Sequence, residues 1–254
     1  MNHMDTAQRD MIQSLIQRTA AHTGADFYRT LWEGGSRFEY LPVVTRDDFA
    51  RVPLSRRRYK EGKSMLKIVP HDGRAFFSEW AFDDIASEPW GVKTKRMMVD
   101  MVDAYEAIEK SVWCYEHGVV PLIGEPDPAI AAYEAQTLNI DSLITDSVAL
   151  KRLYPYLSQR KEKLAALTVI DEVPCEDDFF NYAALAESVR HILATPEVGA
   201  FAEMTLTHAK RAVYSLLPGI VGEESDGVLV CTKLSNLVTP IIRYKTRCPF
   251  NAVL

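Results

Sequence analysis

The middle of the chain constrains its architecture most, because short apolar runs alternate there with longer amphipathic ones. Val119-Val120-Pro121-Leu122-Ile123 reads as a buried strand, Leu143-Ile144-Thr145 as a second and Leu167-Thr168-Val169-Ile170 as a third. Helical segments with their own start signals lie between them. Asp127-Pro128 supplies an N-cap and a first-turn proline. Asp146 or Ser147 caps the helix that follows. Val92 to Glu116 reads as a long helix with Met97, Met98, Met101, Val102, Tyr105, Ile108 and Val112 along its packed side. Asn181 to Thr195 reads as another, ended before Pro196. Strand–helix alternation of this kind predicts parallel strands joined by crossover helices. From Ala212 onward strands follow without helices, which predicts an antiparallel segment. The expected class is α/β in one compact domain: a helical segment over 1–60, an α/β core over 61–210 and a β-rich portion over 211–254.

Near the start, Met11, Ile12, Leu15 and Ile16 share one helical stripe, and Thr45, followed by acidic residues, is a plausible helix N-cap. With 254 residues, 47% of them hydrophobic, the chain can bury a sizeable core. A net charge of -6 gives no support for nucleic-acid binding, and the basic run Arg56-Arg57-Arg58-Tyr59-Lys60 reads as a solvated loop. No apolar run reaches the length of a membrane span. Cys114, Cys175, Cys231 and Cys248 form no C-x-x-C pair, and the start lacks the pattern of a secretory leader. A cytoplasmic protein with free thiols is expected.

The end of the chain is the most specific stretch. Gly227-Val228-Leu229-Val230-Cys231-Thr232-Lys233-Leu234 is followed by Thr239-Pro240-Ile241-Ile242-Arg243-Tyr244-Lys245-Thr246-Arg247-Cys248. This pair of strand-like runs resembles the phenylacetate-CoA ligase branch of the adenylate-forming enzymes. There a Gly-Glu-Leu-Val-x-Thr strand precedes a Pro-Leu-Ile-Arg-Tyr-Arg-Thr-x-Asp strand. Looser likenesses extend the resemblance. Gly118-Val119-Val120-Pro121-Leu122 resembles a Gly-Ala-x-Val-Ile-Pro strand, and Asn139 to Leu153 resembles a strand, a threonine-proline-serine turn and a leucine-rich helix. The resemblance implies a trimmed version of the large N-terminal domain of these enzymes. The family's acyl-site segment is shortened between Trp90 and Gly118, and no small C-terminal lid follows Cys248.

By that resemblance ATP or AMP with magnesium is the implied cofactor, and the site residues follow position by position. The phosphate-cradling loop falls on Lys67 to Ala75, where Gly73 alone survives; Pro70 removes a backbone donor, and Asp72 sets a negative charge against phosphate. Read without the family, the same stretch is an Asp-Gly turn between two strands. Glu203 falls where the family glutamate holds magnesium, and it is a catalytic and metal candidate. Glu172 and Pro174 match the adenine loop, beside an acidic cluster of Asp171, Glu172, Glu176, Asp177 and Asp178 that reads more simply as a solvated loop. Arg243, Tyr244 and Thr246 match residue by residue, with Arg243 a catalytic candidate and the other two nucleotide-binding. Cys248 stands where the family has its ribose-binding Asp, which predicts poor ATP affinity. Next to Arg247 it also offers a thiol of lowered pKa. The six histidines show no close metal spacing, and no other catalytic motif is present.

The resulting expectation is a divergent, lid-less relative of aryl- and acyl-CoA ligases that binds a small aromatic or acyl carboxylate, or a nucleotide, near Glu203 and Arg243. The alternatives are a catalytically inactive homologue acting as a binding or partner module, and an enzyme with new chemistry through Cys248 or His71. An uncovered cleft and an uncovered face with Met97, Met98 and Met101 predict a homodimer or a protein partner.

Overall fold

A computed structural model describes residues 6–22, 25–32, 37–59, 61–91, 94–174, 179–206, 212–235 and 238–253. The chain opens with α1 (Thr6–Ala21), which buries Ile12, Leu15 and Ile16 and leaves Met11 half exposed. Then come α2 (Phe27–Trp32), α3 (Arg46–Arg51) and α4 (Leu54–Arg57). Thr45 starts α3 with a capping box: its hydroxyl accepts the Asp48 N–H, and the Asp48 carboxylate accepts the Thr45 N–H. β1 (Ser64–His71) and β2 (Arg74–Ala81) form an antiparallel hairpin. Its turn residues Asp72 and Gly73 have φ of 45° and 70°, the left-handed pair that a two-residue hairpin turn requires. α5 (Phe82–Ala86) leads away from β2.

The alternating region comprises β3 (Arg96–Asp100), α6 (Ala104–Glu116), β4 (Val120–Ile123), α7 (Pro128–Thr137), β5 (Ser142–Thr145), α8 (Ser147–Leu157) and β6 (Leu164–Asp171). The long helix expected over 92–116 is in fact β3 followed by α6. β3 pairs in parallel with β4 on one side and β5 on the other, and Met97, Met98 and Val99 are almost fully buried. A strand covered on both faces loses the period of two and shows a continuous apolar run, which methionines make helix-like. Asp103 marks the real helix start by accepting the Tyr105 and Glu106 N–H groups. Met97 and Met98 therefore belong to a covered sheet and not to an open helix face.

The short α9 (Phe179–Tyr182) precedes β7 (Ala186–Thr195), β8 (Gly199–Leu206) and β9 (Ala212–Leu216). The helix expected over 181–195 is thus mostly strand. β7 pairs in parallel with β6 from Leu164↔Ala186 to Asp171↔Leu193, and two-sided burial of Ile192 and Leu193 again hides the alternation. The seven-stranded sheet has the order β4-β3-β5-β6-β7-β8-β9. β4 is its edge and is not the buried strand expected, since Val120 is 66% and Ile123 51% exposed. The Val120 and Gly124 N–H groups point to β3. Pro121 therefore falls on the outer side, where its missing N–H blunts the edge against further pairing. Cys114 of α6 lies 3.6 Å from Met97, placing α6 on one face of the sheet, and α7 packs beside α8.

β10 (Ile220–Ser225), β11 (Val228–Lys233) and β12 (Ile241–Pro249) complete the chain as a three-stranded antiparallel sheet. The chain divides into two compact units. The first comprises 1–84, 195–201 and 216–254, and the second 85–194 and 202–215. Among the described residues no helix is long and apolar enough to cross a membrane. Cys114, Cys231 and Cys248 are buried free thiols, and Cys175 lies outside the described residues.

Candidate functional site

In the first unit, β12 carries Arg243, Tyr244, Thr246 and Cys248. The register with β11 shifts between Cys231↔Tyr244 and Lys233↔Ile241, so Ile242 and Arg243 together oppose Thr232. At this bulge Arg243 has φ of 51°, a left-handed conformation that costs about 1–2 kcal/mol for a residue with a Cβ. Contacts of its own hold it there. Its N–H donates to Thr232 Oγ1 at 3.0 Å, and its guanidinium donates to Glu223 at 2.7 and 3.1 Å and to the Leu41 carbonyl. Tyr244 is buried, edge-on to Phe49, with its hydroxyl bonded to the Arg46–Glu197 pair. Burial, and then the Glu197 charge, push its phenol well above the ordinary range.

Thr246 donates to the Leu229 carbonyl at 2.8 Å and accepts the Cys248 N–H at 3.1 Å. Cys248 is fully buried, its Sγ donates to the Pro249 carbonyl, and burial pushes the thiol up to about 11. The activated thiol expected from the neighbouring Arg247 is therefore not formed. Strand alternation turns Cys248 inward and Arg247 outward, so the adjacent charge does not reach it.

Gly73 sits in the hairpin turn with open space around its Cα. Beside it, His71 Nε2 lies 2.7 Å from Asp47 Oδ1 and 3.7 Å from Asp72 Oδ2. One ligand-capable atom from each of these residues falls within 4.8 Å of the others, a grouping that linear spacing could not reveal. The hydrogen bond from His71 holds the Asp47 carboxyl below its usual value, and Asp47 and Asp72 are well exposed. The basic run is not the solvated loop expected: Arg57 is 1% exposed and donates to the Val52 and Phe77 carbonyls, with its guanidinium 5.1 Å from the Phe49 ring centroid. Burial lowers it to about 10. A cation can lie this deep because carbonyls and aromatic faces replace its water.

In the second unit, Glu203 on β8 receives both prongs of Arg190 on β7, at 2.6 and 2.8 Å. Arg190 also donates to the Pro89 and Gly91 carbonyls. Glu172 follows β6, half-buried. Its neighbour Asp171 does not belong to a solvated acidic loop; Glu176, Asp177 and Asp178 lie outside the described residues. Asp171 accepts from the Ser147 hydroxyl at 2.8 Å, from the Ser147 N–H at 3.2 Å and from His191 Nε2 at 2.8 Å. On the far side of the imidazole, the Tyr214 hydroxyl donates to Nδ1 at 2.6 Å. An ionised carboxylate only accepts, so Nε2 carries the proton. Burial acts to raise Asp171, but its bonds to His191 and Ser147 outweigh that and hold it below the usual range. This Ser147–Asp171–His191–Tyr214 chain spans three strands and a helix start, and no local motif announces it.

Neither a family profile nor any curated protein matches the sequence. Solved structures share the fold. The amide bond synthetase McbA from Marinactinospora thermotolerans matches with a TM-score of 0.53 and 16% identity, over 91% of this chain and 56% of that one. An acyl-CoA synthetase from Brucella canis matches with a TM-score of 0.50 and 12% identity, over 70% of this chain and 38% of that one. The α/β architecture, with its largely parallel seven-stranded sheet, is the fold shared with these solved structures. The chain spans little more than half of the first structure and less of the second. At the positions where the resemblance places nucleotide contacts, the side chains of Cys248, Arg243, Thr246 and Glu203 do not fit ATP with magnesium. Cys248 offers no carboxylate for the ribose, Arg243 and Thr246 are bonded to their own unit, and Arg190 occupies Glu203.

Proposed function

We propose that this chain is a divergent relative of the phenylacetate-CoA ligase branch of AMP-forming aryl- and acyl-CoA ligases, and that it binds a small aromatic or acyl carboxylate in preference to ATP. The Arg190–Glu203 pair supports the carboxylate. Both side chains are partly exposed, at 20% and 29%, so a carboxylate from solution can take the place of Glu203 at the guanidinium fork. The third arm of that fork is already anchored on the Pro89 carbonyl, which keeps it oriented. Exchanging one carboxylate for another is nearly neutral and Glu203 is held beside the guanidinium, so binding is weak and a dissociation constant above roughly 1 mM is expected. Titration of phenylacetate and benzoate by NMR tests the reading. Glu203→Gln removes the competing charge and should tighten binding at least about threefold, while Arg190→Met should abolish it. Weaker binding in Glu203→Gln, or none by the wild type, overturns the proposal.

The second reading is a homologue that has given up catalysis and serves as a binding or partner module. It is favoured by Arg243, Thr246 and Cys248, whose polar groups are satisfied by the chain's own atoms. In both readings the protein is cytoplasmic, with reduced thiols, and works as a homodimer or with a protein partner. Light scattering during size exclusion tests self-association: a monodisperse particle of single-chain mass at micromolar concentration excludes the homodimer.

A further inference from the structure

The crossovers of the parallel sheet diverge at β3. Its own crossover, through α6, runs to β4, and the next, through α7, returns across β3 to β5. The loops leaving β3 and β5 part at their carboxyl ends, where open α/β sheets form ligand crevices. Most carboxylates at this end are committed. Asp103, Asp127 and Asp146 cap α6, α7 and α8, Asp146 also accepts the Val102 N–H at 2.7 Å, and Asp171 holds Ser147 and His191.

Asp100, the last residue of β3, is the exception. It is 6% exposed and has no hydrogen-bond partner among the described residues. Its side chain lies against Gly124 in the β4–α7 loop, where a Cβ would come within 2.8 Å of the Asp100 Cβ, so glycine leaves the room that this carboxyl occupies. Burial, and then repulsion from Asp146, raise it above the ordinary carboxylate range, with Arg152 acting in the opposite direction. Arg152 sits on the exposed side of α8, and its charge acts on Asp100 without a hydrogen bond between them among the described residues. The loops and first turns that follow β3 and β5 also expose apolar side chains, Val102 at 60% and Val148 at 58%. An anion finds no welcome, because the three helix N-termini are already capped by aspartates.

We propose that the crevice at the carboxyl ends of β3 and β5 binds a small primary amine, its ammonium donating to Asp100 beside Asp146 and its apolar body lying against Val102 and Val148. The inference is independent of the carboxylate reading at Arg190. Phenethylamine hydrochloride, titrated into the full chain and followed by NMR with potassium chloride held constant, is the probe, and 2-phenylethanol is the uncharged control. Saturable binding of the amine and none of the alcohol is expected. One charge-assisted bond is lost in Asp100→Asn, so binding should weaken roughly 10- to 100-fold. Asparagine matches aspartate in shape, and an unfolding curve confirms that the variant folds. Val102→Ser, at an exposed position, should weaken binding a few-fold, and Glu203→Gln should leave it unchanged. The proposal is overturned if the wild type shows no saturation, if Asp100→Asn binds equally, or if magnesium or calcium displaces the amine at matched concentration, which would make the crevice a divalent-cation site.

Discussion

Asp171→Asn isolates the energetic worth of the buried Ser147–Asp171–His191–Tyr214 chain. His191 is 1% exposed and Tyr214 2%, so no water can replace a lost partner without opening the unit. The wild-type carboxylate takes three bonds, two from Ser147 and one from His191. Hydrogen bonds to a charged acceptor contribute about 1.5–3 kcal/mol each. Asparagine keeps an oxygen for Ser147 but turns an amide donor toward the imidazole. His191 can answer by moving its proton to Nδ1 and donating to Tyr214, which recovers part of the loss. A net destabilisation of about 2 kcal/mol at pH 7 is expected, or roughly 4–8 °C in Tm for a chain of this size. The pH dependence gives a second readout. The folded Asp171 titrates below its unfolded value of about 3.9, so its contribution is complete above roughly pH 5 and is lost as pH falls through the folded value. Urea unfolding from pH 7 to 3 should show the gap between wild type and variant closing as pH falls. A gap under about 0.5 kcal/mol at pH 7, the level of an ordinary surface change, or a constant gap across the range, refutes the reasoning.

Other consequences can be tested by simple means. Arg243→Gly relieves the left-handed strain that Arg243→Ala retains, while both lose the Glu223 pair, so glycine should be the more stable by about 1 kcal/mol in urea unfolding. Gly124→Ala forces a methyl to 2.8–3.1 Å from Asp100 and Met98 and should cost about 1–3 kcal/mol by the same assay. Cys114, Cys231 and Cys248 are buried with thiols pushed up, so native protein at pH 8 should leave all three unmodified by iodoacetamide, as peptide mapping can show. Cys248→Asp restores the residue expected at the ribose position but places a carboxylate where exposure is 0%. It should lose about 3 kcal/mol or more of stability and gain no AMP affinity by calorimetry.

By itself the sequence determined whatever depends on nearest neighbours along the chain. Thr45, Asp127 and Asp146 announce their helices because a cap bonds to N–H groups two or three residues away. Asp72-Gly73 announces its turn because both backbone conformations are local. The paired runs ending in Arg243-Tyr244-Lys245-Thr246 are legible as two antiparallel strands, since the connection is short. Only the tertiary structure decided that 96–100 and 186–195 are strands, because burial on both faces erases the alternation by which a strand is recognised. It alone took Arg57 out of the solvent and turned Cys248 inward, since burial is set by what packs on top of a side chain. The Asp171–His191–Tyr214 chain, the Arg190–Glu203 pair and the uncommitted Asp100 join residues that neighbouring strands and loops bring together. Their proximity comes from register and crossover path, neither of which any single stretch of the chain encodes.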